Sequence, residues 1–118
     1  MNILVGDIIP EELRAGIVEA AGSDHTVIFA EERDDIAKHG PDADVFYGYV
    51  TERATAHLSN VKWVHTWSAG VDKHLFPALA DPDVVLTHGA GTFGPQVADH
   101  TFALLLALAR GLHAFMPR

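Results

Sequence analysis

The chain has 118 residues, 48% of them hydrophobic; acids outnumber bases 16 to 8, giving a formal charge of −8, and there is no cysteine. This length suits a single domain with a real core, and the lack of cysteine excludes disulfide and thiolate chemistry. The acidic balance leaves no basic footprint for phosphates, so neither nucleic acid nor an anionic membrane is an expected partner.

Met1 leads straight into NILVG with no basic segment, so the expectation is a cytoplasmic protein. The only lysines are Lys38, Lys62 and Lys73. Such an acidic surface fits a high-salt cytoplasm, where screening removes self-repulsion, as well as it fits an ordinary acidic protein.

In chain order, residues 2–6 read as a short buried strand. Pro10 opens an amphipathic helix that Gly22 ends as a C-cap glycine. HTVIFAE is a second strand, ERDDIAKHG a short polar helix, and DVFYGYV a third strand. Thr51 caps the next helix, TERATAHLSN. VKWVHTW is a fourth strand, HLFPALA a helical turn and DVVLTH a fifth strand; a long helix then runs from about Pro95 to Phe115. Strands alternating with helices imply right-handed crossovers and a parallel sheet. Five of them predict an α/β, flavodoxin-like, doubly wound sheet of order 2-1-3-4-5, whose ligands bind at the carboxyl ends of the strands. Those ends are Asp7-Ile8, Tyr47-Gly48-Tyr49, Ser68-Ala69-Gly70 and Gly89.

Gly89, Gly91 and Gly94 spell the G-x-G-x-x-G of dinucleotide-binding loops. That fingerprint needs a following strand that ends in an acid about 20 residues on, to hold the ribose. The sequence stops at Arg118, and Pro95 marks Gly94 as a loop residue before the helix. The pattern is read as a hinge-like connection rather than a pyrophosphate loop. A flavodoxin's hydroxyl-rich phosphate loop is missing after strand one (GDIIPEEL), as are a receiver domain's acid and lysine.

The turn after the fourth strand, Ser68-Ala69-Gly70-Val71-Asp72, offers different chemistry. Gly70 permits a positive-φ turn, and successive N–H groups there make a concave anion site. Each N–H to a carboxylate is a charge-assisted bond of about 1.5–3 kcal/mol net. The plain alternative is an ordinary strand-to-helix turn.

LSNVKWVHTWSAGVD, followed by VVLTHGAGTFGPQVADHTFALLLALAR, resembles the first domain of the D-isomer-specific 2-hydroxyacid dehydrogenases, most strongly from Leu58 to Arg110. The resemblance implies a substrate domain, residues 1–94, and an interdomain and dimerisation helix, residues 95–118. A separate Rossmann domain, not in this chain, would hold NAD or NADP by its own glycine motif. It implies reversible reduction of a 2-oxo acid to a D-2-hydroxy acid. The arginine and the histidine–acid pair of that chemistry lie downstream, so no catalytic residue falls in this chain and the chain alone is expected to be inactive. The segment Ala69, Gly70 and Val71, with Ser68, would offer N–H groups to the substrate carboxylate, and Tyr47, Gly48 and Tyr49 would line the pocket. Val97 matches a position near the nicotinamide. Asp99 stands where the family commonly has Glu, and His88 where it often has Asn, so the resemblance assigns His88 no role.

On the last helix, Leu104, Leu108, Leu112, Phe115, Leu105, Phe102 and Leu106 span an arc of about 200° at 100° per residue, more than one sheet face covers. Ala103, Ala107, Gly111 and Ala114 add a strip of small residues. The helix therefore wants a partner: in the resembled family, a homodimer through residues 96–115 and the chain's own Rossmann domain. The rival reading is a non-enzymatic flavodoxin-like module that binds a partner through that helix. The unbroken apolar run, Phe102 to Ala109, is too short to span a membrane.

Eight histidines make no metal motif. His65 is read as packing with Trp63 and Trp67, His100 as a surface residue, Asp7 as a cap for the first helix, and Asp34-Asp35 as a solvated face.

Overall fold

The computed structural model describes residues 1–115. It is a five-stranded parallel sheet of order β2-β1-β3-β4-β5, with β1 at Asn2–Val5, β2 at Thr26–Phe29, β3 at Val45–Tyr47, β4 at Trp63–Thr66 and β5 at Val85–His88. The helices are α1 (Glu11–Ala21), α2 (Arg33–His39), α3 (Glu52–Thr55) and α4 (Gly94–Ala109), with a 3-10 turn at Pro77–Leu79. The predicted sheet order is the observed one, because each short apolar run is closed by a cap or a turn that sends the chain into a crossover.

Several punctuation marks act as their chemistry requires. Gly22 ends α1 at φ 82°. The Thr51 hydroxyl accepts the Ala54 N–H at 3.2 Å and opens α3, which is only four residues long. Others differ from expectation. Asp7 does not cap α1: its carboxylate takes the Ile8 N–H instead, and Pro10 holds the cap position without a side-chain bond. Asp35 is no idle solvated acid, because with Glu32 it closes a reciprocal capping box at the start of α2.

The strand register sorts side chains into rows. Leu4, Phe46, Val64 and Leu86 align across the sheet. They face the main core, which Val50, Leu58, Val61 and Leu79 complete. The flanking rows, Ile3-Val45-Trp63-Val85 and Val5-Tyr47-His65-Thr87, face the other way. There α1 covers only the β1 side, over an open apolar cavity of about 410 Å³. Trp63 and Val85, farther along the rows, stay 44% and 57% exposed.

The last helix departs from the expected one. It starts at Gly94, so Gly94 is the first helical residue rather than a loop residue. It ends at Ala109, because Gly111 turns left-handed at φ 67° and a 3-10 turn, Leu112–Ala114, follows. Phe115 and Leu112 are therefore not on the helix, and Gly111 belongs to its stop rather than to a packing strip. The last three residues of the expected 95–118 segment lie outside the described residues. No residue of α4 is buried: Phe102, Leu104, Leu105, Leu106 and Leu108 are each more than half exposed. The helix projects from the sheet. The radius of gyration is 19.2 Å, with a longest extent of 58 Å; a compact domain of this length would have about 13 Å. Among the described residues no helix is long and apolar enough to cross a membrane.

Candidate functional site

The turn between β4 and the Pro77–Leu79 turn lies at the carboxyl end of the sheet, beside the segment that follows β3. Together they enclose a cleft of about 320 Å³ lined by Tyr49, Ser68, Gly70, Asp72, Lys73 and His74. Among the described residues, no hydrogen bond occupies the N–H groups of Ala69, Gly70 or Val71. Three consecutive donors beside a cleft are what a carboxylate needs in order to be held without an arginine.

Gly70 does not take the positive φ that the sequence suggested; the positive-φ glycines are Gly22, Gly48, Gly91 and Gly111. A Cβ at Gly70 would meet only the Asp72 carboxylate, at 3.5 Å. Space, rather than a left-handed backbone, is what leaves this turn open at Gly70.

Of the residues singled out in the sequence, the structure brings Tyr49, Ser68 and Gly70 to one cleft, with Ala69 and Val71 exposed or partly exposed on the same turn. Gly48 is buried just before Tyr49, with the Gly6 carbonyl 3.1 Å from where its Cβ would stand. Tyr47 points elsewhere. It stacks on His65 at 5.3 Å, meets Trp67 edge-on at 5.0 Å, and lines the cavities under α1. His65 packs as expected, edge-on to Trp63, with Nδ1 2.9 Å from the Thr87 hydroxyl. Val97 and His100 are exposed near the start of α4.

Two histidines do more than the sequence assigned. His88, on β5, donates from Nδ1 to the Ala69 carbonyl at 3.2 Å and ties the turn to the neighbouring strand. His74 is 1% exposed, yet both of its nitrogens are bonded. Nδ1 lies 2.8 Å from the Val50 carbonyl and Nε2 lies 2.9 Å from Ser68 Oγ. It thus bridges the segment after β3 to the turn after β4. The sequence carries no sign of this, since the partners are 24 and 6 residues away and form no periodic pattern.

The second glycine turn is built differently. A Cβ on Gly89 would stand 2.9 Å from the Trp67 carbonyl oxygen, so glycine is needed there for the close approach of two backbones. Its N–H is already spent on the Thr66 and Ser68 carbonyls, at 3.0 and 3.1 Å. Gly91 is left-handed at φ 80°, and a Cβ at Gly91 or Gly94 would find nothing within 4 Å. The first donor of this turn is thus occupied, and the surface around the other two glycines is open. Among the described residues no cluster of three or more His, Asp or Glu could hold a metal ion.

No family model and no curated protein matches the chain. Solved structures do. An acyclic imino acid reductase in complex with NADPH and D-arginine superposes with a TM-score of 0.65 at 20% identity, over 97% of this chain and 39% of its own. The NAD-dependent formate dehydrogenase of Staphylococcus aureus does so with a TM-score of 0.66 at 23% identity, over 97% and 40%. The phosphoglycerate dehydrogenase of Lactobacillus plantarum gives 0.56 at 24% identity, over 97% and 37%. The chain has the fold of a dehydrogenase domain. It spans about two fifths of the length of these structures.

Proposed function

We propose that the chain is the substrate-binding domain of an NAD(P)-dependent D-2-hydroxyacid dehydrogenase, which reduces a 2-oxo acid reversibly to a D-2-hydroxy acid. The observation that carries this reading is the run of unbonded N–H groups at Ala69, Gly70 and Val71, of which Gly70 lines the cleft with Ser68 and Tyr49. The chain's part is to seat the substrate carboxylate on these amides, with Tyr49 as a wall. The nicotinamide, which supplies the hydride, belongs to a second, Rossmann-type domain, as do the arginine and the histidine–acid pair. Alone, residues 1–118 bind but do not turn over. The exposed apolar face of α4 supports residues 94–109 as the surface that meets that second domain and a second subunit.

Two carboxylate bonds of about 1.5–3 kcal/mol each total at most about 6 kcal/mol, and the cost of association offsets much of that, so the affinity is millimolar or weaker. Adding pyruvate to the isotope-labelled chain is therefore expected to shift the amides of Ala69, Gly70 and Val71 at millimolar concentration. No shift at these amides at high concentration would overturn the assignment.

A second reading is favoured by α4 alone: a non-enzymatic module that docks a partner protein through its leucines. It predicts no response of residues 69–71 to any small acid. It also predicts that polar replacement of Leu104 and Leu108 abolishes the chain's only association.

A further inference from the structure

The buried His74 lends no N–H to the amide cradle, and its bonds run in one direction. A carbonyl only accepts, so the Val50 bond fixes the proton on Nδ1. Nε2 of the neutral ring is then an acceptor, and the Ser68 hydroxyl must donate to it at 2.9 Å. The Thr66 hydroxyl in turn donates to Ser68 Oγ at 3.3 Å. The relay therefore points Thr66 to Ser68 to His74 to Val50, and the Ser68 proton is committed to the His74 ring and not to a ligand in the cleft that both residues line.

An arriving carboxylate changes this balance. Only acceptors face the cleft from Ser68, so the hydroxyl helps an anion only if its proton turns outward. That turn orphans Nε2 of a buried ring, unless Nε2 gains a proton of its own. With Nε2 protonated, the ring donates to Ser68 Oγ, the Ser68 hydroxyl donates to the ligand, and the imidazolium faces the carboxylate through one hydroxyl. One proton enters from solvent and no covalent bond to the ligand forms.

We propose that His74 and Ser68 form a proton-coupled latch on the carboxylate site, so that a 2-oxo acid binds together with one proton. This rests on the substrate-site reading above. Other charged and titratable groups face the same place. Tyr49, after β3, packs edge-on to the His74 ring at 4.8 Å; Asp72 and Lys73 line the cleft from the turn itself, and His88 of β5 holds the Ala69 carbonyl. Asp72 opposes an anion and Lys73 favours it, but both are exposed and neither bonds to the relay. His74 is a positioning residue in this scheme, acting on the ligand through Ser68.

The test is pyruvate binding to the 118-residue chain, followed by calorimetry in buffers of different ionisation enthalpy and by the ring-nitrogen shifts of His74. Expected are uptake of about one proton per pyruvate where the free ring is neutral, an affinity that falls up to about tenfold per pH unit there, and conversion of His74 from the Nδ1–H tautomer to the doubly protonated ring. His74→Gln keeps a bond to Ser68 but cannot charge, so binding should persist without proton uptake. Ser68→Ala leaves the buried ring in place and should also abolish uptake, which covers the case in which the His74 variant fails to fold. If the 69–71 amides shift while the His74 nitrogens stay unchanged, or uptake survives Ser68→Ala, the latch is wrong and the carboxylate site stands. If those amides never shift, both are wrong.

Discussion

Two glycine-bearing turns lie side by side at the carboxyl edge of the sheet, one after β4 and one after β5. The better-known glycine pattern lies on the second, and a cleft lies beside the first. Gly89 spends its N–H on β4 and its missing side chain on the Trp67 carbonyl, so it serves packing. The turn at Ser68–Val71 leaves three N–H groups unbonded beside a cleft and is braced from both sides, by His88 on the Ala69 carbonyl and by His74 on Ser68. Spacing alone does not make an anion site; the donors also need a cleft beside them.

Substitutions can break that contrast, and the largest effect is expected at Gly89. Gly89→Ala forces its Cβ against a backbone oxygen 2.9 Å away, and should cost about 1–3 kcal/mol in denaturant unfolding. A neutral result would mean that the two turns are not packed together. Gly91→Ala places a side chain at φ 80° and should cost about 1–2 kcal/mol, measured the same way. His88→Phe removes one hydrogen bond to the turn, a loss of about 0.5–1.5 kcal/mol. It should weaken pyruvate binding several-fold in an amide-shift titration; unchanged affinity would show that the Ala69 carbonyl needs no brace.

Away from both turns, the Asn2 N–H at 2.9 Å, helped by Lys62 and the chain's amino terminus, holds the Asp44 carboxyl below its ordinary 3.8. A lowered folded-state value stabilises above the ordinary one and is lost as pH falls through the folded one. Acid unfolding should therefore show the chain losing stability below pH 3.8 more steeply than Asp44→Asn, with pyruvate binding unaffected. The smallest effect is expected at Gly94, where a Cβ meets nothing. Gly94→Ala should change stability by no more than about 0.5 kcal/mol, and a large loss there would revive the idea that all three glycines serve one ligand.

The sheet was legible because its strands are short apolar runs closed by strong punctuation: Pro10, Gly22, Thr51 and the 88–95 turn. Their order followed from right-handed crossovers. The candidate cleft was legible in part. Ser68, Gly70 and Tyr49 stand where strand ends must lie. Alternation would put Tyr47 on the same face as Tyr49, two residues on, but β3 ends at Tyr47 and Gly48 follows at φ 148°, so the two rings part. The φ of Gly70 could not be read, since glycine permits a left-handed turn without requiring one. The end of α4 was misread because the apolar period continues through Leu112 and Phe115, and periodicity is blind to a single left-handed residue such as Gly111. His74 was invisible for another reason: its partners meet only in the tertiary structure.

One consequence follows from the way α4 leaves the sheet. A rod of 16 residues, about 24 Å long, hangs from a five-residue joint with no side chain moored to the body behind it. Its compass bearing is thus chosen by whatever clasps its leucines. The angle between helix and sheet becomes a quantity set from outside, as a door's angle is set by the hand on it rather than by the frame.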